Sequence, residues 1–147
     1  MKSKLLCLLI LLIVNLNNCK PKGIVSDEKT KLIWQKCSLG QNNDEKCSGK
    51  ASTYSWDDAV KNCESLQLAD KKWRLPTKEE LESIIVTDSK PSINQNLFPS
   101  TEIAYYWTST ITANDTNSAW FISFSDGYMS EGYLKEYPAY ARCVSSP

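Results

Sequence analysis

"DKKWRLPTKEEL", residues 70–81, carries the densest pattern in the chain. Trp73 and Leu75 alternate around Arg74, as a short strand requires. Pro76 cannot donate to a ladder and disfavours helix at Leu75. Thr77 and Glu80 form the T-x-x-E signature of a capping box, in which each side chain accepts from an amide near the other. A helix is therefore expected over "KEELESIIV", residues 78–86, with Leu81, Ile84 and Ile85 on one face. Trp73, Arg74, Pro76, Thr77 and Glu80 thus read as a structural joint: strand, corner and capped helix. Arg74 is expected in an ion pair or on loop carbonyls rather than on an anionic ligand. Glu79 and Glu80 belong to a first helical turn, where the dipole favours them, rather than to a catalytic pair.

Upstream, "SWDDAVKNCESLQLA", residues 55–69, reads as a helix. Ser55 is the expected N-cap, and Asp57 and Asp58 fall in the first turn. Trp56, Ala59, Val60, Cys63 and Leu66 recur at helical spacing, which places Cys63 on the buried face. Before it, "GIVSDEKTKLIWQKC", residues 23–37, reads as two strands joined by a turn at Asp27–Thr30. Residues 38–53 are polar loop. Downstream, Ile93, Leu97 and Phe98 are apolar plugs in an irregular segment. "AYYWTST", residues 104–110, is a β-rich run and residues 111–118 read as a turn-rich loop. "AWFISFSDG", residues 119–127, alternates Trp120, Ile122 and Phe124 up to the Asp126-Gly127 turn. Trp107 and Trp120 are expected in the core. Residues 128–147 return as one or two strands closing on Cys143.

The chain has 147 residues, 41% hydrophobic and 23% charged, which suits one globular domain. It contains no His, so His-based triads and His metal sites are excluded. Formal charge is zero, 17 basic residues against 17 acidic. No single-sign field points to nucleic acid, heparin-like polymers or an anionic membrane face.

Residues 5–14, "LLCLLILLIV", follow a short basic start. This run is shorter than the roughly 20 residues that span a bilayer and suits the apolar core of an export signal. The first Ala is Ala51, so no Ala precedes a conventional cut. Instead "LNNC", Leu16 to Cys19, resembles a bacterial lipobox of the looser kind typical of spirochaete lipoproteins. That resemblance implies a signal peptide over 1–18, a lipidated Cys19 with a short tether over 19–23, and a domain over 24–147. Lys20 after the Cys implies outer-membrane sorting in a two-membrane cell. Removing 1–18 takes away Lys2 and Lys4 and leaves 15 basic against 17 acidic residues.

Six cysteines are present. With Cys7 in the signal and Cys19 on lipid, Cys37, Cys47, Cys63 and Cys143 remain. An even remainder in an exported chain points to two disulfides, with three possible connectivities. The pairing Cys37–Cys47 staples a polar loop, and Cys63–Cys143 ties a helix to the last strand. No C-x-x-C pair and no His accompany them, so no metal site is expected. Asn114, Asp115 and Asp126 lack the dense oxygen-ligand run of a calcium loop.

The order KLIWQKC, WDDA, WRLPTKEEL, YYWTST, AWFISFSDG, ARCV closely resembles the Lcl C-terminal domain family, a domain of unknown function in bacterial exported proteins and lipoproteins. The resemblance spans about residues 24–145. The family looks related to C-type-lectin and formylglycine-generating-enzyme folds. That implies α+β architecture: two helices packed on small twisted antiparallel sheets, with chain ends close together. In the founding member this domain acts in adhesion to sulfated polysaccharides. Here collagen-like repeats are absent, since Gly totals five. The expectation is a non-catalytic, cofactor-free binding or adhesion module on a membrane-anchored lipoprotein, with a host or envelope glycan or protein as ligand. An enzyme or accessory on the formylglycine-type scaffold is the alternative, and it needs a free thiol. A structural envelope lipoprotein without soluble ligand is the other. Binding loops are expected at 38–53, 88–102 and 111–118.

Overall fold

The computed structural model describes residues 21–146. The expected signal peptide and Cys19 lie outside the described residues. None of the described helices is long and apolar enough to cross a membrane.

Among the described residues the architecture is α+β: two helices, two small antiparallel sheets and two disulfides. β1 (Ile24–Ser26) and β2 (Ile33–Gln35) form a hairpin whose turn is held by Asp27. Its carboxylate accepts from the Lys29 N–H at 2.9 Å and from the Thr30 hydroxyl at 2.6 Å. β6 (Val144–Ser145) pairs on the other side of β2, so the two ends of the domain flank one strand. The second sheet runs β3 (Tyr105–Thr112), β4 (Asp115–Ser123), β5 (Met129–Leu134) in order.

Both faces of the second sheet are covered. Trp107, Ala119 and Phe121 pack with Ala59 and Cys63 of α1 (Trp56–Glu64) and with Trp73 and Leu75. Tyr106, Ile122 and Phe124 pack on the other side with Trp34, Ile93, Phe98 and Val144, and with Leu81 of α2 (Lys78–Glu82). Burial on both sides explains why Ala119 and Phe121 are buried as well as Ile122 and Phe124.

Ser55 caps α1, accepting from the Asp58 N–H at 3.3 Å. The helix ends at Glu64 rather than Ala69. Its C-cap is Ser65, and Ala69 and Asp70 adopt left-handed backbone, turning the chain toward Trp73. Likewise α2 is one turn, not the nine residues that periodicity suggests. After the Ser83 cap, Ile85 leaves the helix to bridge Ile93, because β-branched residues fit a strand-like bridge better than a helical turn. Trp73–Leu75 is not a strand. Only Arg74 pairs, through a single bridge to Val144.

The largest correction concerns residues 111–118. The expected loop is mostly ladder: β3 reaches Thr112, β4 begins at Asp115, and only Ala113 and Asn114 turn. Thr and Ile at 110–112 favour extended backbone, and Asp115 organises the return by accepting from the Asn117 N–H at 2.9 Å and the Ser118 hydroxyl at 2.6 Å.

The four described cysteines form Cys37–Cys47 and Cys63–Cys143, and none is free. Cys63 is fully buried on the helix face, so its bridge lies inside the core.

Candidate functional site: an aromatic face on the second sheet

Side chains two apart on a strand share a face, and those opposite in register share it too. Tyr105 and Trp107 therefore stand on the same side of the sheet as Phe121, opposite Trp107, and Ala119, opposite Tyr133. Their rings meet. Tyr105 and Phe121 lie 4.6 Å apart between centroids, and Phe121 and Tyr133 5.3 Å apart. Tyr133 makes edge contacts with Tyr105 and with Tyr137, each at 5.6 Å. Trp107 underlies the group at 5.0 Å from Tyr133 and is locked by its indole N–H, which donates to the Tyr54 carbonyl at 2.9 Å.

The outer members stay in solvent: Tyr105 is 44% exposed and Tyr137 47% exposed. Partial burial raises the Tyr133 phenol above its ordinary pKa, and Tyr105 and Tyr137 beside it add to the shift. The Tyr133 phenol is therefore neutral at physiological pH. The result is a rigid apolar surface edged by hydroxyls. It can stack on the flat face of a sugar ring or on apolar side chains while its rim donates hydrogen bonds.

A second concave feature lies between the β1–β2 hairpin and residues 83–98. Val25, Trp34, Ile84, Ile85, Leu97 and Phe98 border a groove of about 380 Å³. Trp34 is fully buried, and its indole N–H has no acceptor among the described residues.

The expected structural residues fall where their chemistry requires. Arg74 donates to both carboxylate oxygens of Glu80 at 2.7 Å. Glu80 accepts from the Thr77 N–H at 2.8 Å while Thr77 accepts from the Glu80 N–H at 3.2 Å, closing the capping box. The Arg74 hydrogen bonds hold the Glu80 carboxyl below its ordinary pKa, against a smaller opposing effect of burial. Glu79 lies 3.8 Å from Lys78 at the surface. Pro76 is buried at the corner and Trp73 is 3% exposed, its N–H on the Leu68 carbonyl. Trp107 is in the core as expected. Trp120, also expected in the core, is only half-buried, with the Lys78 ammonium 3.9 Å from its ring centre.

Arg142 was not singled out by sequence reasoning. It is fully buried and donates to the carbonyls of Gln35, at 3.1 Å, and Lys36, and to the Thr101 hydroxyl at 2.7 Å. Burial pushes its pKa down to about 10. Tyr106 sits in the same network, its hydroxyl 2.7 Å from that of Ser38. A charged residue between Ala141 and Cys143 in an alternating run hints at an inward-facing polar anchor.

Loops 38–53 and 88–102 meet: Gln41 donates to the Ser100 carbonyl at 3.2 Å and the Ser100 hydroxyl to the Lys46 carbonyl at 3.1 Å. Residues 111–118 instead join β5, where the Gly132 N–H donates to Thr112 at 3.2 Å. Asp115 and Asp126 each bind hydrogen-bond donors of their own turn, which lowers both pKa values. No cluster of three or more Cys, Asp or Glu suited to a metal occurs among the described residues.

The family model described as Lcl C-terminal domain matches residues 23–145. No curated protein matches the chain.

Proposed function

The chain belongs to the Lcl C-terminal domain family, and from that premise we propose that it is a membrane-anchored lipoprotein whose domain is a non-catalytic binding or adhesion module. The observation that carries the reading is the Tyr105–Phe121–Tyr133–Tyr137 face. The Tyr105 and Tyr137 rings, left in solvent beside the buried Phe121 on a sheet packed on both faces, are what a preorganised binding surface requires. The ligand class is a glycan or protein surface. The C-type-lectin-like reading of the scaffold belongs to the same proposal and is supported by two helices on small sheets with both domain ends beside β2.

The cysteines and carboxylates of the described residues support the non-catalytic part of this proposal. A formylglycine-type reaction needs a thiol, and all four described cysteines are in disulfides. Every carboxylate with a displaced pKa is displaced downward by hydrogen bonds within its own turn or, for Glu80, to Arg74. A general acid working at neutral pH needs the opposite shift.

A glycan and matrix-protein binding screen with residues 20–147 tests the module. Binding that falls at least tenfold in Tyr105→Ala/Tyr137→Ala, with unchanged melting, is expected. A ligand held equally by that variant would remove the aromatic face from the proposal. For the anchor, a lipoprotein signal peptidase inhibitor is expected to make the precursor accumulate, and Cys19→Ser to move the protein out of the membrane fraction. Unchanged fractionation would reject it.

A further inference from the structure

The balanced charge of the chain conceals a local arrangement. Gly23, where the domain begins, is buried, and its carbonyl accepts from the Lys36 N–H at 2.9 Å. A Cβ placed on Gly23 would stand 3.3 Å from a Leu68 methyl. Leu68 holds the next turn, accepting from the Lys71 N–H at 3.3 Å and from the Trp73 indole at 2.9 Å. That turn opens into a groove bordered by Asp70, Lys71, Lys72, Arg74, Ser145 and Ser146. The start of the domain and the Lys71–Lys72 turn are therefore one end of the molecule.

Lys22, Lys36, Lys71 and Lys72 belong to this end, and none forms an ion pair among the described residues. Arg74 is matched by Glu80. The acidic groups nearby include Asp70, in the groove, and Asp44 and Glu45, in the loop that meets Gly23 through Asn43 and also carries Lys46. The Asp44 carboxylate is occupied by the Ser48 hydroxyl and by the Lys46 N–H at 3.0 Å. Positive charge prevails at this end, while the chain as a whole is neutral.

We propose that this lysine-rich end faces the membrane and sits on anionic lipid headgroups. The inference rests on the anchored reading for its geometry. From Cys19 to Gly23 the chain can reach at most about 14 Å. A lipid at Cys19 therefore holds Gly23, and with it this end of the domain, within about two screening lengths of the bilayer, about 8 Å each at physiological salt. Juxtamembrane lysines on an acidic leaflet are attracted at that range. The domain is then not free to tumble on its tether, and the end remote from Gly23 points outward.

The test couples residues 19–147 through the Cys19 thiol to a maleimide lipid in vesicles. These residues hold both described cores and both described disulfides, and with Cys37, Cys47, Cys63 and Cys143 paired the thiol left for coupling is Cys19. Acylation rates of Lys71 and Lys72 by a neutral reagent are read by mass spectrometry, with exposed Lys90 as internal reference. On phosphatidylglycerol vesicles both are expected to react about fivefold more slowly than on phosphatidylcholine, with the difference lost in high salt. Equal rates on the two lipids overturn the proposal. So does equal slowing on both, and so does slowing that appears only when a sulfated polysaccharide is added. Because the lipid is attached chemically, this result is independent of whether cells acylate Cys19, which palmitate labelling of cells reports separately.

Discussion

Glu80 is gripped from two directions: Arg74 donates to both its oxygens at 2.7 Å while the Thr77 amide donates to one of them at 2.8 Å. One carboxylate thereby fixes the corner between the Arg74–Val144 bridge and α2. Glu80→Gln is expected to cost about 1–2 kcal/mol at pH 7, since it weakens charge-assisted bonds at a half-exposed site. Its folded pKa is depressed, so its contribution is present above the ordinary Glu pKa of about 4.3 and lost as pH falls through the folded value. Denaturant titration from pH 7 to pH 3 should show wild type and Glu80→Gln converging at the acid end. A constant gap would exclude the ionic account.

Thr77→Ala is expected to lower stability by about 1 kcal/mol, the usual cost of a lost N-cap. Trp73→Ala, which empties a core site, should cost about 3 kcal/mol or more. Urea midpoints of the two variants check the order. A Thr77→Ala protein of full stability but without ligand binding would return this corner to the functional surface.

The two disulfides should differ in weight. Closing 80 residues, Cys63–Cys143 contributes about 4.5 kcal/mol on the chain-entropy account, and Cys37–Cys47, closing 10, contributes about 3. Paired Cys→Ala variants, compared by urea unfolding, should reproduce that order. Equal losses would mean that local loop geometry outweighs chain entropy.

Arg142→Met should cost about 3–5 kcal/mol, because the Gln35 and Lys36 carbonyls and the Thr101 hydroxyl lose a buried donor together. Hydrogen exchange should quicken first in residues 35–41 and 98–101, which that guanidinium joins. Uniform quickening across the domain would argue against such a local tie.

Gly40→Ala should destabilise by about 2 kcal/mol or more. The residue has φ +93°, and a Cβ there would lie 2.7 Å from the Ser52 amide nitrogen, which is backbone and cannot step aside. Thermal melting measures it. A Gly40→Ala chain melting with wild type would show that the 38–53 loop can rearrange.

Local hydrogen-bond chemistry was legible in the residues themselves. Ser55, Thr77 with Glu80, and Asp27 each act within three positions of their partners, so neighbouring residue types suffice to place caps and turns. Element lengths were less so. Periodicity extended both helices past their ends, because Leu66 and Ile85 serve tertiary contacts that mimic a helical face. The loop at 111–118 was misplaced because strand pairing, not composition, decides where a hairpin turns.

What the amino-acid order determined by itself is the α+β class, the capped corner after Pro76, the cysteines available for bridging and the family. Each follows from short-range chemistry or from motif order. Only the tertiary structure decided the rest. Register across β3, β4 and β5 brings Tyr105, Phe121 and Tyr133 together, and the turn after β5 adds Tyr137 to the same aromatic face. Pairing of β2 with β6 and packing of Leu68 on Gly23 bring Lys22, Lys36, Lys71 and Lys72 to one end. These groupings join residues up to about fifty positions apart, and no local pattern records which distant side chains a sheet will set side by side.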